Sequence, residues 1–329
     1  MSAPLLFLSA ADVAAALPMK EAIEAMKRAF VLLSQGVAVL PPRTVIEIPE
    51  REGSLLFMPV FSAAENLYSA KTISLFSGNP ARGLPRIQSL VTLFDGETGQ
   101  ALAVIDGASL TALRTGAASG AATAVLARKD AATVAVFGAG PQARAQLEAV
   151  CAARTIVRAR VYSPDTGSGE TYAREMAKRL GIVVEAASDP SRALEGAAVV
   201  CTATVSPTPV FDDADLGPGT HINAIGVYKP GLREVPGASV ARAAIFVDHR
   251  EGAAAEAGDL LIPLAEGLIG GSEEWTELGE VLAGRRPGRR SDDELTLFKS
   301  VGVGIQDLVA AGAVLAAAKR LGLGTKVQL

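Results

Sequence analysis

Residues 134–146, VAVFGAGPQARAQ, constrain this chain more than any other segment. An apolar run rich in β-branched residues stops at Gly138-Ala139-Gly140-Pro141-Gln142-Ala143, and a helix-forming stretch from Gln142 to Cys151 begins at once. In such a strand, turn and helix, Gly138 permits the tight turn and Gly140 lets the backbone approach a pyrophosphate. Ala143, small where a third glycine is common, lets helix and strand pack closely. The free N–H groups and positive dipole end of the helix then face phosphate. The pattern predicts a dinucleotide-binding turn.

The text around it supports that fold. Strand patterns at Thr133–Phe137, Ala159–Tyr162, Val183–Ala186, Ala198–Thr202, His221–Ile225 and Ile245–Val247 alternate with helical stretches such as Glu170–Leu180 and Ser191–Leu194. That alternation is the mark of a doubly wound parallel α/β sheet. The first hundred residues differ. Ser9 is placed to cap a short helix, and Pro18 opens a second one whose Ala22, Met26, Phe30 and Leu33 share a face. Strand-like runs RTVIEI, SLLFMPV, YSAKTISL, IQSLVTLF and ALAVID follow, the last two joined by the hairpin signal DGETG. An Ala-rich helix from Ser109 and a closing helix from Gly304 to Leu321 complete the reading. We expect a Rossmann domain over 116–304, and an N-terminal α/β domain over 1–115 completed by the C-terminal helix in 305–329.

A net charge of −4 over 329 residues argues against nucleic acid or an anionic membrane as partner. The N-terminal LLFLSAADVAAAL has no basic flank and carries Asp12, so it reads neither as a signal peptide nor as a membrane span, and a cytoplasmic protein is expected. Cys151 and Cys201 read as small buried hydrophobes. His221 and His249, the only histidines, have no metal-ligand spacing around them, so no metal site is expected. Arg285, Arg286, Arg289 and Arg290 read as a solvated basic loop, and Asp292, Asp293 and Glu294 as a charged helix start.

The stretches NPARGLP (79–85), LFDGETG (93–99), TALRTGAASG (111–120), VFGAGPQAR (136–144), INAIG (222–226), EAGDL (256–260) and FKSVGVGIQDL (298–308) together resemble the ornithine cyclodeaminase and mu-crystallin family. The resemblance implies a Rossmann domain for NAD(H) or NADP(H), an N-terminal domain that forms a homodimer through its sheet, and a small amino or imino acid bound between them. It implies that Arg43, Lys71 and Arg114 hold a substrate carboxylate. Cations gathered in one pocket of an acidic protein need an anionic ligand or paired carboxylates, because burying them unpaired costs several kcal/mol each.

One departure decides among family members. Cyclodeaminases carry an acid/base aspartate after INAIG, before Cys-Pro-Gly; this chain reads Val227-Tyr228-Lys229-Pro230-Gly231. A tyrosine cannot replace that carboxylate as a base at neutral pH. Reduction of a C=N bond asks less of the protein. The expected activity is therefore NAD(P)H-dependent reduction of a cyclic α-imino acid, Δ1-pyrroline-2-carboxylate to L-proline, with the six-membered homologue as a further substrate. Lys71 or water would supply the proton, and Tyr228 is a pocket wall or a weak donor. The competing expectations are a cyclodeaminase-type lyase, an alanine dehydrogenase-type enzyme and a non-catalytic NADP(H)-binding protein.

At the end of the second Rossmann strand Ser163 stands where NAD enzymes usually place Asp or Glu, so NADP(H) is preferred over NAD(H) on this reading. By motif position Thr115, Pro141 and Gln142 line the diphosphate, Thr204 the adenosine, Val227 the nicotinamide, and Lys299 and Ser300 complete the cofactor set. Met58 is expected in the substrate-pocket wall. Arg86 after GLP is read as a fourth cation of the pocket.

Overall fold

A computed structural model describes residues 4–328. They divide into two compact units, one formed by residues up to Arg114 with those from Val303 onward, the other by Thr115–Gly302.

The first unit opens with β1 (Leu5–Leu8), α1 (Ala10–Ala16) and α2 (Met19–Ser34). It continues through β2 (Ala38–Val39), β3 (Thr44–Ile48), β4 (Gly53–Ser62), β5 (Leu67–Phe76), β6 (Ile87–Asp95) and β7 (Ala101–Asp106), and closes with α11 (Gly304–Leu321) and β16 (Thr325–Val327). Ser9 and Asp12 form a reciprocal capping box at α1, as the sequence signals. Pro18 lies one place outside the helix it was expected to begin, as the N-cap of α2. The sheet runs β16-β1-β7-β6-β5-β4-β2, with β3 also paired to β4. Its long central strands are antiparallel, while β1 runs parallel to β7. The hairpin between β6 and β7 is fixed by Asp95, whose carboxylate accepts from the Glu97 and Thr98 amides and the Thr98 hydroxyl.

Period-two alternation divides the faces of this sheet. Leu56, Met58, Val60, Ser69, Lys71, Val91 and Leu93 are buried on one face. α11 packs on β4, β5 and β6 and against α2. α11 is buried at every position from Gly304 to Ala311, yet its first turn contains Gln306 and Asp307. Outside that covered face Val45, Ile46, Tyr68, Ile87 and Leu90 are exposed.

α3 (Gly107–Leu126) leads into the second unit. Its strands are β8 (Thr133–Phe137), β9 (Arg158–Tyr162), β10 (Val183–Ala186), β11 (Val199–Thr202), β12 (His221–Ala224), β13 (Ala244–Val247), β14 (Thr276–Glu277) and β15 (Thr296–Lys299). All pairings are parallel, in the order β10-β9-β8-β11-β12-β15-β13-β14. The connecting helices are α4 (Pro141–Ala153), α5 (Thr166–Leu180), α6 (Pro190–Leu194), α7 (Gly237–Ala241), α8 (Arg250–Glu256), α9 (Gly258–Ala265) and α10 (Leu278–Leu282). Strand order reverses between β8 and β11, so the carboxyl ends of these two strands form the crevice where open α/β sheets take ligands. The small residues of α3 have a steric reason: a Cβ on Gly116 would lie 2.5 Å from the Ala145 carbonyl oxygen of α4.

Two local expectations are corrected. Residues 292–294 do not start a helix; the chain turns there into β15, because Leu295, Leu297 and Phe298 are buried and Thr296 meets His221 Nδ1 at 2.9 Å. Nor is Arg289 a solvated cation. Its guanidinium donates to the carbonyls of Leu126 and Gly219, which makes it an anchor for the loop. Among the described residues no helix is long and apolar enough to cross a membrane.

Candidate active site

In the first unit, Lys71 lies at the middle of β5 with Met58 and Val91 as its cross-strand neighbours, on the face that α11 covers. An ammonium buried in such a place needs a counter-charge. Asp307 supplies it, with Oδ2 at 2.8 Å from Lys71 Nζ. The other carboxylate oxygen, Oδ1, accepts from Arg114 Nε at 3.1 Å. Arg114 also donates to Gln306 Oε1 at 2.6 Å, an oxygen that accepts the Val303 amide as well. Lys71, Arg114 and Asp307 are 2%, 6% and 1% exposed, so these contacts are shielded from water.

The charges do not balance. Two buried cations share one carboxylate, and two donors remain unused: among the described residues Arg114 Nη2 has no partner, and Gln306 Nε2 is buried without one. Burial pushes the Lys71 ammonium down to about 8, Arg114 and Arg43 push the same way, and Asp307 opposes them. For Asp307 burial works upward, yet Arg114 and Lys71 overcome it and hold the carboxyl below its usual range. The cluster is thus two buried cations held on a single internal carboxylate.

Sequence reasoning named Lys71 and Arg114 but passed over Asp307 and Gln306. The signal existed, since QD is a polar pair opening an otherwise apolar helix. Met58 is buried, opposite Lys71 in the β4–β5 register. Arg43 is half-buried and contributes to the field at Lys71. Arg86 is exposed, beyond Pro85 at the entry to β6.

The second unit holds the glycine turn. Gly138 has φ +102°, and a Cβ there would stand 2.6 Å from the Ala203 carbonyl oxygen, so both backbone and space demand glycine. Gly140 is the N-cap of α4 with no side-chain cap, and a Cβ on it would meet nothing within 4 Å. Pro141 occupies the first helical turn, and Gln142 Oε1 is buried there without a partner. Ala143 is fully buried. Thr115, nearly buried on α3, is tied to α4 by the Gln146 amide, 3.3 Å from its carbonyl oxygen. The turn thus leaves free helix N–H groups, open space and an orphaned acceptor together, a donor set that fits a dinucleotide diphosphate and its ribose.

Ser163, just past β9, lines a cleft of about 170 Å³ with Thr166, Glu170 and Ser188. On the other side of β8, Thr204 after β11 gives its amide and hydroxyl to Glu234 Oε1 at 2.6 and 2.7 Å. Val227 is buried and Tyr228 is 40% exposed. Lys299 and Ser300 are turned inward rather than toward a cofactor. Lys299 Nζ is fully buried against Asp259 Oδ2 at 2.7 Å and the Val227 carbonyl at 2.5 Å, because a lone interior ammonium requires such partners. Ser300 donates to Asp248, which also holds the amides of Val301 and Gly302. Burial, followed by Asp259, raises the Glu234 carboxyl.

The family model described as "Ornithine cyclodeaminase/mu-crystallin family" matches residues 5–320. The chain belongs to the ornithine cyclodeaminase/mu-crystallin family. Within it, a Δ1-pyrroline-2-carboxylate reductase of Bacillus cereus is 33% identical over 325 residues, 98% of this chain and 100% of its own. The solved structure of Thermococcus litoralis Δ1-pyrroline-2-carboxylate reductase in complex with NADH and L-proline superposes with a TM-score of 0.93 at 39% identity, covering 98% of this chain and 100% of that one. An archaeal alanine dehydrogenase dimer with bound NAD gives 0.90 at 34% identity, covering 99% of each chain. The mixed α/β fold with its parallel Rossmann sheet is therefore shared with this family's dinucleotide-binding members.

Proposed function

We propose that this family member reduces a cyclic α-imino acid, Δ1-pyrroline-2-carboxylate, to L-proline at the expense of a reduced nicotinamide dinucleotide. The observation that carries the reading is the charge imbalance around Asp307. Lys71 and Arg114 share one carboxylate, and the unused donors on Arg114 and Gln306 suit the two oxygens of a second. With Arg43 they are the residues we assign to the substrate carboxylate, with Met58 as an apolar wall.

Lys71 is also assigned the proton. With its pKa lowered to about 8 it remains protonated at neutral pH, yet releases a proton more readily than a solvated lysine. The nicotinamide, when bound, supplies the hydride to the C=N carbon. Lys71 gives a proton to the ring nitrogen, so one C–H and one N–H bond replace the C=N π bond. Tyr228 stands where cyclodeaminases carry their aspartate, so no carboxylate is present there to handle water and ammonia.

The dinucleotide is assigned to Gly138, Gly140, Pro141, Gln142 and Ala143, with Thr115 beside the diphosphate, Thr204 and Val227 farther along, and Ser163 at the adenosine ribose. Ser163 alone allows a 2′-phosphate, and for that reason favours NADP(H). The full cleft lining argues for NAD(H): it has no lysine or arginine and includes Glu170, which repels a phosphate dianion. The apolar residues exposed on the first unit, Val45, Ile46, Ile87 and Leu90 among them, are proposed as the surface of a homodimer.

The test is direct. Purified protein given NADH should consume Δ1-pyrroline-2-carboxylate and yield L-proline, with Δ1-piperideine-2-carboxylate as second substrate. An alanine dehydrogenase would instead require pyruvate and ammonium, and a pure binding protein would turn over neither imine.

A further inference from the structure

Among the ionisable side chains buried in the second unit, Glu234, Asp259 and Lys299 form one cluster with no access to water. Lys299 is paired with Asp259 at 2.7 Å. Asp259 also accepts the Glu234 and Val235 amides at 2.6 and 3.0 Å. Glu234 has no cation within ion-pair distance among the described residues. Its carboxylate is instead surrounded by four donors: the Thr204 amide and hydroxyl on Oε1, and the Thr202 hydroxyl at 3.0 Å and the Gly226 amide at 2.8 Å on Oε2. Two of these are amides that cannot reverse into acceptors, one on each oxygen, which suits an ionised carboxylate. The crossing is tight: a Cβ on Gly226 would fall 2.2 Å from the Thr204 carbonyl oxygen and 2.6 Å from Glu234 Oε1.

Within this cluster an ionised Glu234 is one surplus negative charge in a dry interior, where isolated charges are costly; burial and Asp259 oppose it, and Lys299 with the Thr204 donors favours it. Its location gives it a use. Thr202 ends β11 with Thr204 two residues beyond, and Gly226–Val227 follow β12, at the carboxyl ends of strands on the side of the switch point that takes the second half of a dinucleotide. A nicotinamide is neutral when reduced and cationic when oxidised, so a fixed anion below it discriminates between the two forms.

We infer that Glu234 is a positioning residue that clasps the Thr204 and Gly226 loops and, with Asp259, holds a buried negative charge that favours the oxidised nicotinamide over the reduced one. The inference rests on the dinucleotide reading of the second unit and deepens it. Such a charge would favour a cationic ring over a neutral one, an electrostatic contribution set before the reaction begins.

The experiment measures dissociation constants for NAD+ and NADH on the purified full chain by calorimetric titration, with thermal melting to establish folding. Glu234→Gln should weaken NAD+ relative to NADH by roughly tenfold, equivalent to about 1.4 kcal/mol. Asp259→Asn, which removes the same surplus from the other carboxylate, should move the ratio in the same direction and serves if the first variant does not fold. Glu234→Asp keeps the charge but shortens the clasp, so it should weaken both forms and leave their ratio unchanged. Equal losses for NAD+ and NADH in the charge-removing variants would overturn the inference and reduce Glu234 to a loop brace. A wild-type chain that binds neither form would remove the dinucleotide reading itself, a distinct failure.

Discussion

Lys71 Nζ lies 2.8 Å from Asp307 Oδ2, and Arg114 Nε lies 3.1 Å from the other oxygen of the same carboxylate. One internal anion therefore organises two cations drawn from a strand and a helix, and leaves them with unspent charge. The proposed substrate affinity and proton supply both rest on that arrangement.

Removing the lysine separates the two. Lys71→Ala should abolish imine turnover while the affinity for NADH, assigned to side chains of the other unit, stays within about twofold of wild type, as expected where two ligands share no side-chain partner. Turnover that survives the substitution would place the proton donor elsewhere.

Asp307 raises the Lys71 pKa that burial and Arg114 depress. In the wild type, kcat/KM for imine reduction should fall as pH rises through about 8, where Lys71 loses its proton. Asp307→Asn withdraws the opposing charge, so the alkaline limb should move to lower pH, by on the order of one unit. A variant with lower rates but an unmoved limb would make Asp307 a packing residue only. Asp307→Ala leaves two buried cations uncompensated, and a loss of about 3–5 kcal/mol of stability is expected from chemical denaturation.

The two glycines of the turn should part company. Gly138→Ala meets both a positive φ and the Ala203 carbonyl, so it should lower the melting temperature. Gly140→Ala has open space around its new methyl and should fold normally. It should nevertheless weaken NADH binding tenfold or more, on the order of 1.4 kcal/mol, because that space is where the phosphates approach. Unchanged binding would move the diphosphate away from α4.

His221 offers a stability test. Burial and then Arg289 hold its imidazole down to about 3, so it stays neutral in the fold. The unfolded chain takes up a proton near the ordinary value of 6.5, so stability present above that pH is lost as pH falls toward about 3. His221→Gln should flatten this part of the stability curve in acid denaturation. An unaltered slope would assign acid sensitivity to other groups.

Much of this was legible in the residues. The strand, turn and helix at 133–153 announced themselves because glycine chemistry is local, and Lys71 stood out as a charge in an apolar strand. What escaped was non-local. Asp307 and Gln306 acquire meaning only when α11 lies across β5, and β15 is inserted between β12 and β13 although its sequence comes after both. Leu5–Leu8 receives no strand assignment from the sequence, and its pairing with β7 and β16 makes it a strand. Lys299 shows the converse error: a lysine in a family motif suggested a ligand contact, whereas burial committed it to Asp259.

The central claim is that the cationic cluster around Asp307 serves C=N reduction. Its most direct test is to follow NADH absorbance with Δ1-pyrroline-2-carboxylate and identify the product by chirality. Stoichiometric formation of L-proline is the predicted result. Untouched imine together with ammonia released from ornithine would contradict the account.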